Sequence, residues 1–209
     1  MSKVTIAGDA NGTGVFTIAA PNGNTNRTLT LPDEAGTVLT TAGVPSSAMP
    51  AGSVLQVLQA VKTDVFSATA TAGSWIDITG LSVSITTASA SSKILVFADV
   101  ALGTSGDATG QPFLRLVRNS TAIYIGDASG IRGQAMSGNS VYGTGIIYKH
   151  QKQNGVYLDS PASSSSITYK LQLGVTASVT SYVNRNGYDA NRWEDARLAS
   201  SITIMEIAA

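Results

Sequence analysis

Cysteine is absent from all 209 residues, which removes disulfide frameworks, thiolate-ligated zinc, thiol nucleophiles and thiol redox switches together. Histidine occurs once, so an imidazole-based metal centre has no second ligand of its kind. That residue, His150, stands beside Lys149 and Lys152 and reads as a solvated side chain at a strand end. No G-x-S-x-G elbow accompanies it, and a hydrolytic triad has nowhere to assemble. Charge is also scarce: Asp, Glu, Lys and Arg make up 12% of the chain, about half of what soluble domains carry. The formal net charge is zero, which argues against nucleic acid or a charged membrane surface as partner. No apolar run approaches the roughly 18 residues of a membrane span. The N-terminal MSKVTIAGDANG has no apolar stretch behind Lys3, so no signal peptide is expected, and action outside a cell would come through lysis or as part of a particle. With a mean hydropathy of +0.15 and so little charge, part of the surface is expected to be hidden in an oligomer.

What the chain does have is Ser and Thr, roughly a quarter of all residues, and many short apolar runs between Gly, Ser, Asn and Asp clusters. Beyond residue 53 these runs are Val54 to Val61, Trp75 to Ile78, Leu81 to Ile85, Ile94 to Leu102, Phe113 to Val117, Ala122 to Ile125, Val141 to Tyr148, Val156 to Leu158, Ile167 to Val175, Tyr182 to Val183 and Ile202 to Ile207. Spacing this regular is the signature of an all-β sandwich or barrel, and an antiparallel jelly roll fits best. Leu81 to Leu102 reads as its core hairpin around a Ser/Ala turn. In the first arm Leu81, Val83 and Ile85 alternate with polar residues, as in a strand with one wet face. Ile94 to Ala98 is apolar on both faces, so that strand is expected to be covered twice, once by the second sheet and once by a neighbouring subunit. One helix of barely two turns is expected at Asn191 to Leu198, where Asn191 and Glu194 resemble a capping box.

The first 45 residues read differently. Val4 to Ala7 and Val15 to Ala19 flank GDANGTG, and RTLTL and TVLT flank PDEAG, which gives two small hairpins with their turn chemistry in place. They hold too few large apolar residues to fold alone and are expected to order against neighbouring copies or the body they attach to. AGVPSSAMPAG follows without periodicity, so residues 46 to 52 are a linker and 53 to 209 form the main domain.

Sites are few. Asp9-Ala10-Asn11-Gly12 opens like a calcium loop but lacks the later ligands, and is read as a turn. Glu34, Glu194 and Glu206 lie in unrelated contexts, and Asp77 and Asp99 in separate strands, so no glycosidase acid pair is evident. No catalytic residue, metal site or cofactor is expected. The segment NRNGYDANRWEDARL concentrates aromatic and charged side chains. Arg185, Tyr188, Arg192, Trp193 and Arg197 are the candidate receptor-binding residues, since flat rings suit sugar C–H faces and guanidinium groups bond hydroxyls or anionic sugars. The competing reading is that Trp193 anchors the loop on the sandwich and the charges pair across a subunit interface. Gly103 to Gln111 and Asp127 to Ser140, the latter with Ile131, Arg132 and Met136, are candidate rims of a binding face.

GDANGTGVFTIAAPNGNTNRTLTLPDEAGTVLT resembles a segment of bacteriophage tail-fibre and related virion fibre proteins, the marine and cyanobacterial phage type. GSVLQVLQAVKTD, WIDITGLSVSITTASASSKILV, LRLVRNSTAIYIGD, YLDSPASSSSITYKLQL and SSITIMEIAA resemble their C-terminal domain. The resemblance implies a homotrimer without enzymatic activity, with an N-terminal attachment part and a C-terminal head similar in outline to C1q and TNF heads. Residues 1 to 45 would dock on a phage tail, baseplate or nozzle protein, and the head would adsorb to a glycan or protein of the host surface. A head fibre or capsid decoration docked through the same residues is the alternative. No coiled-coil heptads or collagen triplets supply a shaft, so the fibre would be short.

Overall fold

The computed structural model describes residues 10–15, 17, 22–24, 26, 28, 44–105, 111–138, 145–176 and 179–209. The chain divides into two units, Met1–Leu39 and Thr40–Ala209. In the first, Ala10 and Asn11 sit in a turn. The hairpin strands expected on either side of GDANGTG and PDEAG lie mostly outside the described residues.

The second unit is an antiparallel β-sandwich, with eleven strands among the described residues: β1 (Val54–Lys62), β2 (Phe66–Ala68), β3 (Trp75–Thr86), β4 (Lys93–Thr104), β5 (Phe113–Arg118), β6 (Thr121–Ile123), β7 (Ser137–Gly138), β8 (Gln151–Asp159), β9 (Ser166–Gly174), β10 (Ser181–Val183) and β11 (Ser200–Ile207). One sheet runs β1–β11–β4–β8, with β10 pairing the far end of β4 and β2 pairing β10. The other runs β3–β9–β5–β6, with β7 on β5. This alternation of chain-distant strands within each sheet is the jelly-roll order.

Alternation in sequence becomes burial in the fold. Ile167, Tyr169, Leu171 and Leu173 of β9 are all buried, as are Ile202 and Ile204 of β11 and Ile94, Val96 and Ala98 of β4. Together with Ile78, Leu81, Ile85, Leu114 and Leu116 they form one core between the sheets. Each of the Val, Leu and Ile side chains among them contributes about 1.5–3 kcal/mol of transfer free energy, which is what holds the two layers together.

Four expectations are corrected. Leu81 to Leu102 is no hairpin: β3 pairs with β9, whereas β4 pairs with β8, β11 and β10. Residues 87 to 92 cross between the sheets, held by Thr87 Oγ1 donating to Ser163 O at 2.6 Å and Ala88 N–H donating to Glu206 Oε1 at 2.7 Å. A period of two shows which face of a strand is dry and leaves its neighbour open. Second, Asn191 to Leu198 is not helical. Arg192 N–H bonds Ala190 O and Asp195 N–H bonds Arg192 O, giving successive tight turns. Asp195 accepts from Asn186 Nδ2 and Leu198 N–H is drawn to Asn184 O, so tertiary partners displace the weak capping signal. Third, Ile146–Tyr148 is a 3-10 turn where a strand was expected, and residues 141 to 144 lie outside the described residues. His150 is half-buried rather than solvated, with Nδ1 buried and unpartnered among the described residues.

Candidate functional site

The loop of residues 184 to 198 leaves β10 and returns as β11. Its base is nailed down by Asn184, a buried residue at φ 67°. The Asn184 amide donates to Lys62 O at 2.8 Å and Asp64 O at 2.9 Å, while its Oδ1 accepts from Ser200 Oγ at 2.6 Å. Asn and Asp tolerate the left-handed region because their short side chains bond locally, and Asp189 at φ 52° is the second case in this loop. Gly187 permits the closest approach: a Cβ there would sit 1.9 Å from Thr104 O. Two bonds follow from that approach, Gly187 N–H and Tyr188 N–H both donating to Ile147 O at 2.7 and 2.9 Å.

On this base the five candidate residues fall into two groups. Arg185 and Arg197 both form ion pairs with Asp189, and the Arg185 guanidinium lies over Tyr182 at 3.7 Å. Their charges are thus engaged within the chain. Burial pushes the Asp189 carboxyl up, and Arg197 and Arg185 outweigh it and hold the group below its ordinary value. Tyr188, Arg192 and Trp193 point outward. The Tyr188 ring leans on Tyr148 at 4.7 Å, Arg192 stands 5.5 Å above Tyr188, and Trp193 is 98% exposed. Trp193 therefore does not anchor the loop to its own sandwich.

A second surface is the outer face of the β1–β11–β4–β8 sheet. Register places Val57, Met205, Leu95 and Leu158 in one row straight across the four strands. The next row holds Gln59, Thr203, Phe97 and Val156, and the one after it Val61, Ser201, Asp99 and Asn154. Val57, Leu158 and Val156 are about half exposed (52, 47 and 54%), and Phe97 is 37% exposed. An apolar band of this kind on a sheet face has no cover from the described residues of its own chain. It is bordered by an ion pair of Lys152 with Asp99 at 2.7 Å.

A third feature, which the sequence reading missed, is a groove of about 540 Å³ at the end of the opposite sheet. Its floor includes Trp75, Gly174 and Phe113, three members of a cross-strand row that continues to Gly138. Each glycine leaves space for the ring beside it: a Cβ on Gly174 would be 2.8 Å from the Trp75 indole, and one on Gly138 would be 2.3 Å from Phe113. Arg115 stacks on the indole at 4.3 Å and donates from Nε to Gln172 Oε1 at 2.7 Å. Gln172 in turn donates to Asp77, whose other oxygen pairs with Lys170. Hydrogen bonding from Lys170 first, then Gln172, holds the Asp77 carboxyl below its usual value, while burial pulls the Arg115 guanidinium down against the opposing Asp77 charge. The far wall is the loop of residues 124 to 135, closed by Gly126 N–H donating to Ala135 O and Gln134 Nε2 to Gly126 O. Ile131 and Arg132 of the expected rim line this groove, whereas Met136 turns inward against Gly155. Most of Gly103 to Gln111 and the end of Asp127 to Ser140 lie outside the described residues.

Among the described residues, no three of His, Cys, Asp and Glu come together as a metal site, and no helix is long and apolar enough to cross a membrane. Glu206 is a structural acid, fully buried and bonded by Gln56 at 2.6 Å and the Ala88 amide.

The protein thus belongs to the antiparallel jelly-roll β-sandwiches. No protein-family model matches the chain, and no curated protein sequence matches it. Among solved structures it is similar to T=1 particles derived from infectious bursal virus, with 14% identity over 74% of this chain and 36% of that one at a TM-score of 0.36. It is similar also to the infectious bursal disease virus Gx strain, with 14% identity over 74% of this chain and 37% of that one at a TM-score of 0.35. The chain spans little more than a third of the length of either. Likeness at that level identifies no family.

Proposed function

We propose that this chain is a structural virion protein of a bacteriophage, a tail or baseplate fibre whose trimeric head adsorbs to the host surface without catalysis. The observation that carries the assembly is the apolar band of Val57, Leu95, Phe97, Val156, Leu158 and Met205 on the outer face of one sheet. Such a face is stable in water when other copies cover it, and three heads packed around an axis cover it without leaving an open edge. The resemblance of the N-terminal segment to virion fibre proteins supports docking of residues 1 to 45 on a tail, baseplate or nozzle protein. Adsorption falls to the 184 to 198 loop, where Trp193 and Tyr188 offer rings and Arg192 an exposed guanidinium to a surface glycan. Three loops on one trimer turn weak single contacts into avidity gains of about 10² to 10⁴.

The experiment is a binding assay of the labelled full chain on host bacteria. The parent protein is expected to coat the cells and compete with virions for adsorption. Trp193→Ala is expected to keep its assembly and fold, since a side chain this exposed contributes little to stability, and to lose most cell binding. Unchanged coating by the variant would remove the loop from the reading.

A further inference from the structure

We propose that the groove at Trp75, Arg115 and Arg132 is a second binding site, specific for a carboxylate-bearing saccharide such as a uronic acid unit. It lies on the sheet opposite the apolar band, so it stays open when that band is covered. The argument starts from Arg115. Stacking on the Trp75 indole fixes the plane of its guanidinium, and the bond from Nε to Gln172 fixes its rotation. The chain of bonds continues through Gln172 to Asp77 and Lys170, so the arginine is held from behind before any ligand arrives. Both terminal amino groups of Arg115 are left without a protein partner among the described residues. A planar fork held in this way matches the two oxygens of a carboxylate, and less ordering is lost on binding because the fork is preorganised.

Charge and shape point to the same ligand. Two guanidinium groups line the groove, and among the described residues no Asp or Glu does. The carboxylate near Arg115, Asp77, is already engaged by Lys170 and Gln172. The lining also includes Phe113 and Ile131, apolar surface suited to the C–H face of a pyranose ring. A bare inorganic anion would use the arginines and leave that apolar lining wet. A neutral sugar would leave the two cations unpaired. The volume of about 540 Å³ admits a short oligosaccharide.

The test is titration of the full chain with trigalacturonate, maltotriose and acetate, followed by amide chemical shifts of β3, β5 and β9. Trigalacturonate is expected to saturate the groove, with maltotriose and acetate each binding about tenfold more weakly or worse. Arg115→Gln and Arg115→Lys should both lose about tenfold in affinity, the lysine variant because it keeps the charge and discards the fork. Equal binding of maltotriose, equal binding of acetate, or a lysine variant as tight as the parent would each overturn the assignment. Arg132→Gln, on an exposed loop, gives a second reading in which a weaker loss is expected and an unchanged affinity counts against the site. The outcome is independent of the adsorption assay: a chain that coats cells and ignores trigalacturonate loses this site and keeps the proposed fibre role.

Discussion

Asp159 ties the two sheets at a point where the core is otherwise apolar. It stands at the end of β8 and accepts both of its bonds to Arg118 Nη1, at 2.8 and 2.9 Å, from β5 of the opposite sheet. Its Oδ2 also accepts from Tyr169 Oη of β9 at 2.6 Å. Burial first, then the Asp159 carboxylate, drives the Tyr169 hydroxyl far above its ordinary range, so it stays a donor at any working pH. Removing one member of a buried ion pair leaves its partner uncompensated. Asp159→Ala is therefore expected to cost about 3–5 kcal/mol, toward the lower end because Arg118 keeps 28% exposure. Tyr169→Phe, which leaves the ion pair whole, should cost about 1.5–3 kcal/mol. Urea unfolding checks the order, and an Asp159→Ala loss smaller than that of Tyr169→Phe would contradict it. The sequence showed the polar residue at position 159 and the alternation that buries Tyr169. It held no sign that Asp159 meets Arg118, because 41 residues separate the two.

At the scale of elements, the 184 to 198 loop is expected to respond to acid before the sandwich does. Arg197 and Arg185 hold the folded Asp189 carboxyl below its ordinary value of 3.8, overcoming the upward push of burial. A depressed folded value means the tether is complete above about pH 4 and is lost as pH falls through the depressed value. Loop amides from 185 to 197 should shift in NMR spectra as pH is lowered below the ordinary carboxylate value of 3.8, before those of β9 and β11 do. Loop shifts that begin only with global unfolding would show that Asp189 does not hold the segment. Composition alone singled out this loop, since Trp, Tyr and three Arg in one short stretch stand out in a chain poor in both. Which of the five are free was not legible: the ion pairs of Arg185 and Arg197 depend on Asp189 adopting a left-handed backbone, and Trp193 is outward because the expected helix gives way to turns.

At the scale of the whole molecule, the fibre reading predicts a sedimenting mass of three times 21.4 kDa for the parent chain. Phe97→Glu together with Leu158→Glu places carboxylates in neighbouring rows of the apolar band and should give single chains with the sandwich intact. A parent protein that sediments as a single chain at micromolar concentration would end the trimer. Deletion of residues 1 to 45 is expected to leave a soluble, trimeric head that no longer joins particles. Recovery of the truncated chain on virions would overturn the division between attachment and adsorption. A label at the C-terminus seen on the phage tail by electron microscopy supports the tail or baseplate placement, and a label over the head replaces it with a head fibre or capsid decoration.

By itself the sequence determined the class. Period-two runs broken by turn residues read as strands, and the absence of cysteine closed off thiol chemistry. It also marked Ile94 to Ala98 as apolar on both sides, which the outward Leu95 and Phe97 make concrete. Tertiary structure alone decided which strands are neighbours, and so where the two halves of Leu81 to Leu102 part into different sheets. It alone aligned Trp75, Gly174 and Phe113 into the floor of a groove. Strand pairing is a long-range choice made by the core as a whole, and a local pattern carries the face of each residue without carrying its partner.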